Sequence, residues 1–237
     1  DVMRRELLAN VSHDLRTPLT TLLAHLETLQ MKQSELTPQE RGEYLDVATR
    51  QSRRIGLLVE QLLEAAKLEA GQVTVNVEPF PIGELLQDVV QKFALAARDR
   101  GVTLELDTKA AATMVNGDIA LLERVLDNLI DNALRHTPIG GRVTVQSQPR
   151  GERIRIAVTD SGPGLTREEA ERAFERFYRG DPGRSTHSGQ SGLGLAIVKS
   201  ILELHGSDVA VDSQQGHGAS FYFELPIVTQ PPRTGPT

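Results

Sequence analysis

Leu8, Leu15, Leu22 and Leu29 recur every seven residues, and Val11, Leu19 and Leu26 fall three or four positions away from them. A repeat of that period draws one apolar seam along an α-helix and predicts packing against another helix. The first helix is expected to run to about Gln33. In SELTPQE, Thr37 is a suitable N-cap and Pro38 a suitable first helical residue, so a second helix starts there, reaches about Ala70 and stops at Gly71. Its apolar stripe is Tyr44, Ala48, Ile55, Leu58, Leu62 and Ala65. Each helix spans roughly 50 Å, and two such helices alone cannot enclose a core. A second copy can, so residues 1–71 are expected to form a helical hairpin that dimerises into a four-helix bundle.

Beyond Gly71 the period changes to two. VTVNV, VTLELD, RVTVQSQ, RIRIAVTD, DVAVDS and SFYFEL alternate as strands do, interleaved with helical patterns near 82–100, 118–136 and 192–205. This predicts a mixed α/β domain over residues 72–228. Residues 161–191 are rich in Gly, Pro, Arg and Glu, carry one expected short helix around EEAERAFERF, and read as a mobile lid. The tail TQPPRTGPT, residues 229–237, is expected to be disordered.

The 237 residues, 39% of them hydrophobic, suffice for two modest domains. A net charge of −6 leaves no basic footprint for nucleic acid and no polybasic anchor for anionic lipid. The absence of cysteine excludes disulfides, thiolate metal sites and thiol nucleophiles. No apolar run reaches the roughly 18 residues needed to span a bilayer. Because the sequence opens on Asp1 with helical periodicity already under way, it is expected to be an excerpt, with any membrane span lying upstream.

With Leu8 at the first heptad position, His13 falls at the sixth, on the outward face, and Asp14 follows it. An imidazole near pH 7 is substantially neutral, and its free ring nitrogen attacks phosphorus if a carboxylate holds the proton on the other nitrogen. Pro18, in the same helix, removes the bond to the Asp14 carbonyl at a cost of roughly 3 kcal/mol. The bend gives bulky reactants access to His13. Taken alone, a histidine on a helix is more often plain surface.

LLERVLDNLIDNALRHTP stacks Asn128 and Asn132 one turn apart, with Arg135 and His136 continuing the face. Carboxamide oxygens suit Mg²⁺, and amide and guanidinium donors suit phosphate oxygens. The plain alternative is the polar stripe of an amphipathic helix. In DSGPGL, Asp160 ends an apolar strand and can accept from an adenine amino group, while Gly162 and Gly164 admit backbone close to a ligand. Many strand-ending turns share that composition. SGLGLAIVK places Gly192, Leu193 and Gly194 at a helix start, where amides and the positive dipole end face phosphates, or where glycine merely allows close packing.

In this order the motifs resemble the cytoplasmic core of a sensor histidine kinase of two-component signalling. HDLRTP resembles the phosphoacceptor box, LDNLIDNALRHTP the N box, DSGPG the first glycine box, FERFYRG the phenylalanine box and GLGLAIVK the second glycine box, and the likeness covers about residues 1–226. The resemblance implies a dimeric helical hairpin followed by an ATP-binding α/β sandwich of the Bergerat type. It implies a homodimer that takes ATP and Mg²⁺, autophosphorylates His13 and passes the phosphoryl group to an aspartate of a response-regulator receiver domain. Dephosphorylation of that regulator is an implied second activity. Asp14 then orients and deprotonates His13, Asn132 holds Mg²⁺, and Asn128 and Arg135 meet phosphates. Asp160 reads adenine, Gly162, Gly164, Gly192, Leu193 and Gly194 shape the pocket, Arg179 approaches the γ-phosphate from the lid, and Phe174 and Phe177 anchor the lid.

His136 stands where the family often has Tyr or Phe beside adenine, and Gln190 where the second glycine box commonly begins with glycine, one residue after Gly189. Thr17, one turn after His13, either positions a water for attack on the regulator's aspartyl phosphate or hydrogen-bonds the His13 carbonyl and adjusts the bend. The implied setting is cytosolic, at the inner membrane of a bacterium if an upstream segment carries a span. A nucleotide-driven conformational dimer without kinase activity and a purely structural scaffold are the other classes. Neither needs an acid beside an exposed histidine and a helix-bending proline.

Overall fold

The computed structural model describes residues 2–32, 34–109, 111–178 and 192–228, with side chains from residue 14 onward. Two long helices, α1 (Val2–Met31) and α2 (Pro38–Glu69), lie antiparallel. Thr37 caps α2 as its sequence predicts. The Thr37 hydroxyl accepts from the Glu40 N–H, and the Glu40 carboxylate accepts from the Thr37 N–H at 2.8 Å. At the far end Gly71 takes φ +63°, which only glycine adopts freely, and the helix stops. α1 ends at Met31, two residues before the expected Gln33, and Pro18 is buried within it without interrupting it.

Between the two helices the rings of His25 and Tyr44 meet with centroids 5.4 Å apart. Ala48 is buried beside them, and Ile55, Leu58, Leu62 and Ala65 are half-buried along the same α2 stripe. On the faces turned away, Leu19, Leu23, Leu26, Leu45, Leu57 and Leu63 stay 43% to 59% exposed. One copy of the hairpin therefore leaves a second apolar face in water. No helix among the described residues is long and apolar enough to cross a membrane.

The remainder is a two-layer α/β unit built from β1 (Glu78–Pro81), α3 (Ile82–Asp99), β2 (Thr103–Thr108), β3 (Met114–Gly117), α4 (Ile119–His136), β4 (Arg142–Arg150), β5 (Arg153–Asp160), α5 (Arg167–Arg172), α6 (Gly194–Leu204), β6 (Val209–Ser213) and β7 (Ala219–Pro226). Five strands form a mixed sheet in the order β2-β4-β5-β7-β6, with β2 parallel to β4 and the other pairs antiparallel. Alternation decides the faces. Val145, Ile156, Val158, Phe221 and Phe223 join one core with Leu86, Leu126, Leu129 and Ile201 of α3, α4 and α6. Apart from Ala157 the intervening residues are polar, and on that outer face Arg155 lies 4.0 Å from the Tyr222 ring centroid and pairs with Glu224 at 2.9 Å.

Two expectations need correction. VTVNV is not a strand. Residues 72–77 have no strand partner, and the Asn76 N–H is spent on the Asp118 carboxylate at 2.9 Å. The strand is the next segment, β1, which pairs antiparallel with β3, and MVNG had carried no strand signal. Second, EEAERAFERF is helical only through Arg172. Phe177 takes φ +60° and donates its N–H to the Gly192 carbonyl at 2.9 Å, which a continued helix does not allow. The other three α/β helices fall within two residues of expectation.

Candidate nucleotide site and phosphoacceptor helix

Helix α4 organises one wall of the site. Asp118 caps it, with one carboxylate oxygen accepting from the Leu121 N–H at 3.1 Å and the other from Asn76. The Asp118 N–H in turn donates to Nε2 of His205 at 3.0 Å, while Nδ1 of His205 meets the Ile201 carbonyl at 2.8 Å. That imidazole ties the start of α4 to the end of α6. No local sequence signal marks it, because the contact joins residues 87 apart.

Farther along α4, Asn128 donates from Nδ2 to the Arg124 carbonyl at 2.8 Å. This turns its oxygen to the start of α6, where a Cβ added to Gly194 would lie 3.0 Å from Oδ1. Asn132 is half-buried on the same face, and His136 is exposed at the helix end. Arg135 forms an ion pair with Asp131, and its Nε is buried without a hydrogen-bond partner.

The second wall is the turn after β5. Asp160 is 6% exposed, and its Oδ1 accepts from the Gly162 N–H at 2.8 Å. Burial raises the Asp160 pKa above the ordinary carboxylate value, against which the amides of Gly162 and Ala219 pull downward. Gly162 must be glycine here, since a Cβ would lie 2.6 Å from the His136 carbonyl oxygen. The end of α4 and the turn DSGPG thus touch. Gly164, at φ +65°, packs on the carbonyl of Gln214, and Gly218, at φ +84°, packs on that of Asp160. Gly218 belongs to this site, and the GHG spacing of residues 216–218 was the available signal for it.

The third wall is the approach to α6. Gly192, at φ +66°, lies against Phe177, and its missing Cβ would be 2.6 Å from the Phe177 Cα. Leu193 is 3% exposed. Phe174 and Phe177 both pack on the core, Phe174 edge-on to Phe221 with centroids 6.1 Å apart. Arg179, Gly189 and Gln190 lie outside the described residues, as do residues 229–237.

On the helical pair, Asp14 is half-buried and Thr17 exposed, while the His13 side chain lies outside the described residues. The pair meets the α/β unit at the end of α2. Glu64 holds Arg124 through three contacts of 2.7 to 3.2 Å, Glu69 holds Arg176 at 2.8 Å, and Ala65 and Leu68 pack on the core. Among the described residues no cluster of three or more acidic, histidine or cysteine side chains could cage a metal ion.

Residues 3–71 match the family model of the His Kinase A (phospho-acceptor) domain, and residues 117–229 match that of the histidine kinase-, DNA gyrase B- and HSP90-like ATPases. The sensor-like histidine kinase SenX3 of Mycobacterium tuberculosis is 33% identical over 230 residues, 97% of this chain, and the chain spans 55% of that protein's length. The solved mycobacterial sensor histidine kinase MprB is 32% identical, with a TM-score of 0.55 over 65% of this chain and 100% of its own. The histidine kinase ThkA, solved in complex with the response regulator protein TrrA, is 25% identical with a TM-score of 0.76, covering 94% of this chain and 61% of that one. A phospho-acceptor hairpin, an ATPase layer behind it and relatives of both together are the mark of one family, and the chain belongs to the sensor histidine kinases of two-component systems.

Proposed function

We propose that the chain is the core of an ATP-dependent protein-histidine kinase that phosphorylates His13 and passes the group to an aspartate of a response-regulator receiver domain. The observation that carries this reading is the meeting of three motifs at one place. Asn128 faces Gly194, the end of α4 touches Gly162 beside Asp160, and Gly192 closes on Phe177. In the proposed division of labour residues 1–71 supply the acceptor and the dimer contact, and residues 72–228 bind nucleotide.

The chemistry asks little covalent work of the protein. A ring nitrogen of His13 attacks the γ-phosphorus in line, the bond to the bridging oxygen breaks, and ADP leaves. Asp14 takes the proton that the imidazole gives up. The phosphoryl group then moves from the ring nitrogen to the regulator's carboxylate, which restores His13. The buried, unpartnered Nε of Arg135 is an orphan donor of the kind that an anion satisfies. Asp160 would accept from the adenine amino group, and the glycines at 162, 164, 192 and 194, with Leu193 and His136, would line the rest.

The donor set suits Mg²⁺ shared with phosphates, because Asn132 offers one hard carboxamide oxygen and no protein cage is present among the described residues. Mg²⁺ supplies charge neutralisation at the triphosphate. Arg179 is proposed to add to that neutralisation from the lid, and Thr17 to position a water when the regulator is dephosphorylated. A membrane span upstream would hold this core at the cytosolic side of a bacterial inner membrane.

Incubation with γ-labelled ATP is expected to give label on the protein that is lost in acid and kept in base. ATP binding without such label would favour a conformational nucleotide module instead. The exposed leucine face calls for a second copy, so light scattering at micromolar concentration is expected to report twice the 26.0 kDa of one chain. A mass of one chain would count against the four-helix bundle.

A further inference from the structure

Ser213 ends β6, 53 residues beyond Asp160, and its hydroxyl is used twice. It accepts from the Leu165 N–H at 2.8 Å and donates to the Gly218 carbonyl at 2.8 Å. Leu165 closes the turn that carries Gly162, the first amide donor to Asp160. Gly218 precedes Ala219, whose amide is the second. The carbonyl of Gly218 and the N–H of Ala219 belong to one planar trans peptide and point in opposite directions. A hydroxyl that fixes the carbonyl therefore aims the N–H. Ala219 opens β7 in register with Asp160 and Ser213, but Gly218, at φ +84° with no side chain, is the joint before it, so the hydroxyl on its carbonyl adds a restraint where the ladder begins.

We propose that Ser213 is a positioning residue for the Asp160 carboxylate, its hydroxyl setting both of the backbone amides that orient it and so sharpening the preference for adenine over guanine. The proposal rests on the reading of Asp160 as the acceptor of the adenine amino group. Guanine presents a carbonyl at the same ring position, so a carboxylate held in one orientation repels it, and a loosely held one discriminates less. Without the hydroxyl, the Leu165 N–H and the Gly218 carbonyl both lose a partner in a half-buried place.

Thr and Val differ at position 213 only in hydroxyl against methyl, and both suit a strand. The test compares Ser213→Thr with Ser213→Val by His13 labelling from ATP and from GTP. Ser213→Val is expected to raise the KM for ATP by about 5- to 10-fold, to change kcat less than about twofold, and to lower the ATP-over-GTP preference by the factor lost in KM. Ser213→Thr is expected to restore wild-type values. Ser213→Ala, which adds no bulk, gives the same comparison should Val be poorly accommodated. A general loss of fold would lower kcat for both nucleotides alike and would overturn the positioning role. So would identical KM and preference in the Thr and Val proteins. A wild type without preference for ATP over GTP would instead overturn the adenine reading of Asp160.

Discussion

The His13→Ala protein is expected to form no phosphoprotein while binding ATP within about twofold of the wild type. Cysteine is absent, and no second histidine occupies the outward heptad position one residue before an acid and five before the helical proline. No other histidine of the sequence has that setting. Alanine is the best helix former, so α1 keeps its continuity and its packing on α2. The residues proposed to hold nucleotide are on α4, β5 and α6, none of which depends on the His13 side chain. Incubation with labelled ATP followed by electrophoresis reads the first quantity and titration calorimetry the second. Label at wild-type level in the variant would remove His13 as acceptor, and a large fall in ATP affinity would mean that α1 takes part in nucleotide binding.

Asp160→Asn is expected to weaken ATP binding by about 100-fold or more, since an acceptor is replaced at half its positions by a donor that meets the adenine amino group head on. The pH dependence follows from the same burial. The folded pKa of Asp160 lies above the ordinary value, first because burial disfavours the charged form. The ionised carboxylate is the binding form, so in the wild type ATP affinity is expected to fall as pH drops through that raised pKa, at a pH above the usual carboxylate range. The effect on the ligand-free protein has the opposite sign. A carboxyl that holds its proton more tightly folded than unfolded contributes stability as pH falls toward the unfolded value and costs stability above the raised one. At neutral pH the Asn variant is thus expected to melt no lower than the wild type without nucleotide, yet ATP should no longer raise its melting temperature. A full ATP-induced shift in the variant would falsify the role of Asp160.

What the sequence makes legible depends on whether a signal is local. The seven-residue leucine period and the Thr37–Pro38 start give the hairpin directly, and the alternation in RIRIAVTD and SFYFEL gives strands whose buried residues are the ones seen in the core. VTVNV misleads because alternation along an exposed connection looks like a strand edge, whereas EPFP and MVNG, at four residues each, are too short to carry a period. The site divides the same way. Asp160, Gly162 and Asn128 stand in compact motifs. Ser213, Gly218 and His205 act through backbone groups dozens of residues away, and no local pattern announces that.

The seam at the end of α2 reaches the proposed nucleotide site from two sides. Arg124, gripped by Glu64, gives its carbonyl to Asn128, and Arg176, gripped by Glu69, adjoins Phe177 at the approach to α6. A torsion of the helical pair would therefore reach the pocket at two points, through short side-chain links as well as along the extended connection at 72–77. The grip at Glu69 is 60% exposed and that at Glu64 24%. Open pairs of this kind are worth roughly 0 to 1 kcal/mol and weaken as the screening length shrinks, from about 8 Å at physiological salt. Rising ionic strength is therefore expected to loosen both links, the more exposed one at Glu69 before that at Glu64.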